Sequence, residues 1–523
     1  MASAAPAGKP SGPSAAMLRD EPEVVVGNYP LLILGVMLAS LIQLLDTTIT
    51  IVAIPHMQAS LGASAETITW VLTSYIIASA VAMPITGWLA GRIGSRRLFI
   101  WSVSGFIAAS MLCGMAQNLE EMVLFRALQG VAGAFIAPLG QSAMLDATRP
   151  SRRSQIMTVW GMGVVLGPVL GPVIGGFLTE NWNWRWVFYV NLPLGLAALA
   201  LLLAQLPKRE EVRRPFDLAG FAFIGITLAA LQLMLDRGPR LDWFDSTEIW
   251  IYAGVTLSAA WMALIHLTTA RNPLFDRALF RDVNLVTAML VIFVAGAILF
   301  SSMALLPSLL QDVMGYGVVE TGMMLAMRGI GVMLSMQLAG ILLRVGADTR
   351  VLVGVGFSIT AYSLHMMSRW SLDITPWDVA MPGLIQGLGI GLVFIPLNTS
   401  AFATLAPHLR TDASSLMNLF RSIGSSLGVA VLTAILTRNL QIAHADIGAN
   451  ITESSASMID LSALDRYGNL GGAALSIADG MVNRQAAIIA YTDDFWAMMW
   501  LALAIVPLVL LMRKPPPEPM RRG

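Results

Sequence analysis

The sequence predicts an all-α membrane protein of about fourteen spanning helices, arranged as two six-helix bundles with two extra helices between them. Three observations predict it. The first is composition: of 523 residues, 56% are hydrophobic and 12% charged, and mean hydropathy is +0.70, whereas soluble domains carry about 25% charged residues. The second is a series of apolar runs long enough to cross a bilayer. They lie near 31–55, 67–90, 97–116, 121–145, 155–178, 185–206, 217–236, 249–268, 285–311, 319–343, 350–369, 377–405, 413–437 and 495–512. The third is an internal repeat. Leu128-Gln129-Gly130 returns as Ile385-Gln386-Gly387, Pro150 as Pro407, and Gly167 and Gly171 as Gly424 and Gly428, all 257 residues on. Repeated halves with a site at their interface are a common plan for secondary transporters.

Taken in order, residues 1–30 are rich in Ala, Pro, Gly and Ser and read as a flexible cytoplasmic tail. The first apolar run is too long for a cleaved signal peptide. Residues 31–206 form the first bundle, 207–283 hold the two linker helices, and 284–512 form the second bundle. A polar extracytoplasmic loop is expected at 438–494, and 513–523 is a second tail. With a cytoplasmic N-terminus, about 22 Lys and Arg fall on the cytoplasmic side and about 7 on the other. The positive-inside rule then places both termini in the cytoplasm.

The most unusual run is Gly163 to Gly176, with glycines at 163, 167, 171 and 175. On a helix that spacing is a stripe without side chains, which lets another backbone approach closely. Pro168 and Pro172 remove two backbone donors and are expected to bend the helix. The stripe is expected to pack against the other bundle, with Gly176 at its end, and to seal one face. A Gly/Pro-rich loop is the alternative, disfavoured by the apolar flanks.

Asp46 sits near the middle of the first run. An ionised Asp at that depth costs about 2.5–3.5 kcal/mol, so it is expected to face a cavity or partner and to bind and release a proton. The bland alternative is an acid that only holds helices together. Arg126 keeps its charge and is expected to bias Asp46 or hold a polar network; as a plain cation it would snorkel to the membrane edge. Arg328 and Arg421 are the second-half intramembrane cations, with no acid in evident reach along their helices. They are candidates for anionic groups of substrate or lipid, or for backbone carbonyls. Gln43, Tyr75, Gln129, Gln386, Phe394, Asn398 and Asn418 are candidates for a cavity lining, against ordinary interhelical bonding. The 31 methionines and the many aromatics suit a site that accepts varied lipophilic shapes.

Other chemistry is excluded. Net charge is +0, which suggests no nucleic-acid partner. Cys113 is alone and the five histidines show no metal-ligand spacing. Gly424-Ser425-Ser426-Leu427-Gly428 fits a nucleophile elbow only in letters, because it lies inside an apolar run. No lysine fits a P-loop. An enzyme is not expected, no cofactor is implied, and the energy source is an ion gradient. One charge crossing 100 mV supplies about 2.3 kcal/mol, roughly fiftyfold accumulation.

Several motifs together resemble the major facilitator superfamily, in particular its fourteen-helix drug:proton antiporters of the EmrB/QacA type. They are Leu45-Asp46-Thr47-Thr48-Ile49 with Ala53-Ile54-Pro55, then Gly87-Trp88-Leu89-Ala90-Gly91-Arg92-Ile93-Gly94-Ser95-Arg96-Arg97. Arg126-Ala127-Leu128-Gln129-Gly130 and the stripe ending Gly171-Pro172-Val173-Ile174-Gly175-Gly176 follow. Leu231 to Gly238, with Leu241-Asp242-Trp243-Phe244, resembles the EmrB branch. The loop motif (Gly87, Arg92, Gly94, Arg96, Arg97) departs from the family at Gly91, where an Asp is usual. The resemblance implies a major facilitator fold and a proton-coupled exporter of lipophilic drugs in a bacterial inner membrane. It also implies a periplasmic membrane-fusion adaptor and an outer-membrane channel as partners, with 438–494 a docking surface. The alternatives are an exporter of one metabolite or siderophore and a non-transporting scaffold or sensor.

Overall fold

The computed structural model describes residues 22–64, 66–207, 215–449 and 471–513; most of the two tails and the 208–214 connection lie outside them. Among the described residues every regular element is helical. Long helices stand at all fourteen expected places: α1 Tyr29–Leu61, α2 Thr67–Ile93, α3 Ser95–Met115, α4 Leu119–Asp146, α5 Arg153–Asn181, α6 Trp186–Gln205, α7 Leu218–Arg240, α8 Thr247–Thr269, α9 Val283–Val313, α10 Val318–Arg344, α11 Thr349–Met367, α12 Pro376–Ala403, α13 Pro407–Ala449 and α14 Asp479–Val509. Twelve helices among the described residues are long and apolar enough to cross a membrane. The other two are α5, of 29 residues, and α11, of 19.

The helix starts are written locally. Asn28 accepts from the Leu31 amide at 3.3 Å, with Pro30 beside it, and Asn118 accepts from the Glu121 amide at 2.8 Å. Such caps satisfy amides that have no partner within the helix. Asp217 caps α7 through the Gly220 amide at 2.9 Å. The same carboxylate takes the Leu274 amide at 3.0 Å and lies 2.7 Å from His266 Nε2. One side chain thus ties together the arginine-rich ends of the two linker helices.

The repeat read from sequence is a repeat of contacts. In the first half α1 packs on α5 and α6, α2 on α4, and α3 on α4 and α6; in the second, α9 packs on α13 and α14, α10 on α12, and α11 on α12 and α14. Gly167 meets Leu44 and Gly171 meets Thr48, while Gly424 meets Phe293 and Gly428 meets Ala297. The linker pair lies to one side: α8 packs on α7, and α7 packs on α2 and touches α13. Thr73 donates to Asp236 at 2.7 Å to fix that contact. Large apolar side chains such as Trp101, Leu128, Trp250, Leu257, Trp261 and Leu334 are exposed on the outside, as a lipid-facing surface requires.

The two halves meet through α5 with α10 and α12, and through the inner parts of α2 and α4 with α13. The side-chain contacts sit toward the arginine-rich end. Ser142 bonds Thr411 at 3.0 Å, Arg410 bonds Asp146 at 2.8 Å, and Ser415 donates to the Met83 carbonyl at 2.6 Å. The seam is closed at that end.

Two expectations are corrected. The glycine stripe does not face the other bundle. Gly163 meets Met37, Gly167 Leu44 and Leu45, Gly171 Thr48 and Ile49, and Gly175 Ile49, all on α1 of its own half. A glycine spacing says that a backbone comes close, not whose it is. The α5 residues that reach the other half include Gly161, against Met336 and Ile395, and Thr158, against Gly340. The side chains of Pro168 and Pro172 lie outside the described set; α5 itself is continuous from Arg153 to Asn181.

The second correction concerns 438–494. Its described ends are not a loop but helix: α13 runs on to Ala449, and helix resumes at Gly471 and leads into α14. Asn439 donates to Asp493 at 3.3 Å and His444 pairs with Asp479 at 3.1 Å, so the two extensions run side by side. Polarity marked this stretch as leaving the bilayer, but a polar helix pair satisfies the same pattern as a polar loop. Residues 450–470 lie outside the described set.

Candidate functional site

Asp46, on α1, is fully enclosed. Its Oδ2 accepts from Arg126 Nη1 at 2.6 Å, and its Oδ1 accepts from Gln129 Nε2 at 2.8 Å and Asn191 Nδ2 at 2.9 Å. Arg126, also 0% exposed, donates to Gln129 Oε1 at 2.8 Å and from Nε to the Val71 carbonyl at 3.1 Å. Its guanidinium carbon lies 4.4 Å from the centre of the Tyr75 ring and 5.7 Å from that of Phe188. Asn191 donates as well to Ser110 at 3.0 Å. Four helices therefore converge on one carboxylate: α1, α4 twice over, α6 and, through Val71 and Tyr75, α2.

The chain folds this way here because small residues let the helices close. Gly130, next to Gln129, has the Tyr75 backbone where a side chain would stand. Gly133 allows the Tyr75 ring and Phe106 to approach, and Gly195 on α6 admits Ile107. The carboxylate of Asp46 accepts from three donors, one of them the guanidinium that compensates its charge. A proton arriving at Asp46 competes with Arg126. Arg126 Nη2 and Asn191 Oδ1 are buried at the pair without a hydrogen-bond partner.

The expected lining residues do not gather in one place. Gln43, Tyr75 and Gln129 lie at the Asp46 cage. Asn398 and Asn418 lie at the seam, where Gln141 donates to Asn398 at 2.9 Å and accepts from Ser414 at 2.5 Å and Asn418 at 3.4 Å. Arg421 donates to Asn418 at 3.0 Å. Phe394 is buried on α12, and Gln386 donates to Ser302 at 3.2 Å inside the second bundle. Arg328 is buried without any of these.

The loop motif forms the other end of the story. Gly94 has φ +88°, a turn that favours glycine. Arg96 donates to the Leu203 carbonyl at 2.7 Å, and Arg92 lies 5.6 Å from the Trp88 ring centre. Gly87 is in contact with the carboxylate of Asp412 from α13. The motif lacks an acid at Gly91, but an acid from the other half arrives one turn away. Arg97 and Asp412 have further partners.

Sequence reasoning missed Asn191, which holds the second oxygen of the key acid. Its signal was a lone Asn inside an apolar run. It also missed Gln141 and the buried Asp494, whose two oxygens have no hydrogen-bond partner. Among the described residues no group of His, Cys, Asp and Glu could hold a metal ion.

Comparison with known proteins agrees with this architecture. The family described as Major Facilitator Superfamily matches residues 36–429. The multidrug export protein EmrB of Escherichia coli strain K12 is 34% identical over 490 residues, covering 91% of this chain and 94% of that protein. The EmrB of Haemophilus influenzae is 34% identical over 503 residues, 95% of this chain and 98% of that one. The fatty acid resistance protein FarB of Neisseria gonorrhoeae is 34% identical over 484 residues, covering 91% and 95%. The crystal structure of the human organic anion transporter MFSD10 superposes with a TM-score of 0.60 at 14% identity, covering 91% of this chain and 99% of that one; at that identity the likeness concerns the fold.

Proposed function

We propose that this chain, which belongs to the major facilitator superfamily and within it to the EmrB-type multidrug exporters, exchanges protons for lipophilic compounds. It is a multi-pass membrane transporter and not an enzyme. The single observation that carries the proton coupling is the enclosed Asp46–Arg126 pair at 2.6 Å. A proton on Asp46 ends the charge compensation of Arg126 and weakens the carboxyl group as an acceptor for Arg126, Gln129 and Asn191. Four helices feel that change at once. A two-state molecule whose seam is closed at the arginine-rich end has, in this pair, an element that protonation biases.

The cycle then follows. In this cycle the deprotonated, paired state is the one with the arginine-rich end shut. Protonation of Asp46 loosens the cage and favours rocking of the halves about the seam. Substrate enters from the arginine-rich, cytoplasmic side of the bacterial inner membrane and leaves on the other. The helical extensions 438–449 and 479–494 project beyond the bilayer at that exit. They are the surface for a periplasmic adaptor leading to an outer-membrane channel.

The experiment is transport in proteoliposomes under an imposed pH gradient, with a panel of neutral and charged lipophilic dyes. Accumulation that collapses when the gradient is dissipated supports the proposal; no gradient-dependent movement of any dye contradicts it.

A further inference from the structure

Inside the second bundle one buried cation, Arg328, stands without an acid beside it. The repeat makes this visible. Gly130 packs on the backbone of Tyr75, and its counterpart Gly387 packs on the backbone of Arg328. Arg328 therefore takes the place in the second half that Tyr75 holds beside the charge pair of the first. The contacts Gly167–Leu44 and Gly424–Phe293 place Phe293 opposite Leu44, and by the same register Ala295 opposite Asp46. The position opposite Arg126, 257 residues on, is Gly383. The first half has a cation with its acid; the second has a cation and an alanine where the acid would be.

Arg328 is 7% exposed. Its Nε and Nη2 are enclosed with no hydrogen-bond partner, and among the described residues no acid pairs with it. It stands ten residues into α10, about 15 Å along the axis and so near the middle of a hydrocarbon core of about 30 Å. The guanidinium stays charged, and a fork of donors at that depth is matched in geometry by a carboxylate or phosphate. Arg421, the other mid-membrane cation of this half, is engaged with Asn418.

We propose that Arg328 is the receptor for the anionic head of an amphiphile, a carboxylate or phosphate on an apolar tail. This deepens, and rests on, the reading of the chain as an exporter of lipophilic compounds. The site discriminates by charge: an anion completes Arg328, while a neutral isostere leaves it as it was.

The test measures binding without any gradient, so it is independent of proton coupling. The full chain in phosphatidylcholine nanodiscs is titrated with 11-(dansylamino)undecanoic acid and with its methyl ester. The expected result is carboxylate binding at least tenfold tighter than ester binding. Arg328→Gln abolishes that ratio by weakening the acid alone, and Arg328→Lys restores part of it. Because the variant removes an uncompensated buried charge, its thermal midpoint should not fall; Arg328→Met provides a second check on folding. Equal binding of acid and ester to the unmodified chain overturns the proposal, as does a loss in Arg328→Gln that affects both probes alike. Replacing phosphatidylcholine with phosphatidylglycerol separates the sources: competition assigns the site to a lipid headgroup, and none assigns it to a transported amphiphile. If the acid binds selectively yet no dye moves under a pH gradient, it is the transport reading that fails.

Discussion

Gln141 and Asn398 occupy equivalent places in the two halves, 257 residues apart, and they bond to each other at 2.9 Å. A residue meets its own repeat counterpart only close to the axis that relates the repeats, which here runs along the seam. Both side chains are buried, and Ser414 and Asn418 complete the cluster. When the arginine-rich end opens, these amides exchange each other for water at little net cost. Leucine at both positions removes that compensation and makes opening expose apolar surface. Gln141→Leu with Asn398→Leu is expected to hold the seam shut and slow gradient-driven export about tenfold or more, with folding retained. Export at the unmodified rate would show that the pair does not govern the seam.

That seam can be watched directly. A Cβ added at Gly340 would lie 4.0 Å from the Thr158 Cβ, within the span that a disulfide needs. The sole native cysteine, Cys113, is buried. Thr158→Cys with Gly340→Cys should therefore cross-link readily across the closed seam. Adding Gly87→Ala places a methyl group where the Asp412 carboxylate sits, so cross-link yield should drop several-fold. An unchanged yield would mean that the Asp412–Gly87 contact contributes nothing to closure.

The two members of the proposed proton site should respond unequally. Arg126→Gln leaves Asp46 as a buried acid without its cation, a loss of about 3–5 kcal/mol. Asp46→Asn keeps an oxygen for Arg126, which also retains Gln129, the Val71 carbonyl and the Tyr75 face. Thermal unfolding in detergent should show Arg126→Gln as the more damaging change, with Asp46→Asn partly rescuing it in the double variant. Additive effects would dissolve the pair as a functional unit.

Glycines in the α5 stripe differ sharply in the space around them. A methyl at Gly171 would meet the Thr48 side chain and the Ile49 amide, whereas Gly176 has nothing within 4 Å. Gly171→Ala should destabilise by about 1–3 kcal/mol. Gly176→Ala should stabilise by about 0.5–1 kcal/mol, since alanine restricts the unfolded chain more. A pair of equal thermal shifts would contradict the α1–α5 contact described here.

Much of this was legible beforehand, for physical reasons. Asp46 and Arg126 stood out because charges in apolar runs are costly and need each other. The repeat was visible because close helix crossings favour glycine, and its register survives as Gly167–Leu44 and Gly424–Phe293. What sequence could not supply was partnership. The stripe announced a close backbone without naming α1, and Asn191 looked like any polar residue in an apolar helix. The stretch 438–494 was polar enough to leave the bilayer, but polarity alone does not distinguish a loop from paired helical extensions. Asp494 fell one residue outside the apolar run drawn for α14, so its burial went unseen.

The most direct measurement compares Asp46→Asn with the unmodified chain in proteoliposomes, in two modes. One mode is dye accumulation driven by a pH gradient; the other is gradient-free exchange of dye across the same membrane. The account predicts that Asp46→Asn loses the first almost completely and keeps the second. Full pH-driven accumulation by Asp46→Asn would contradict it.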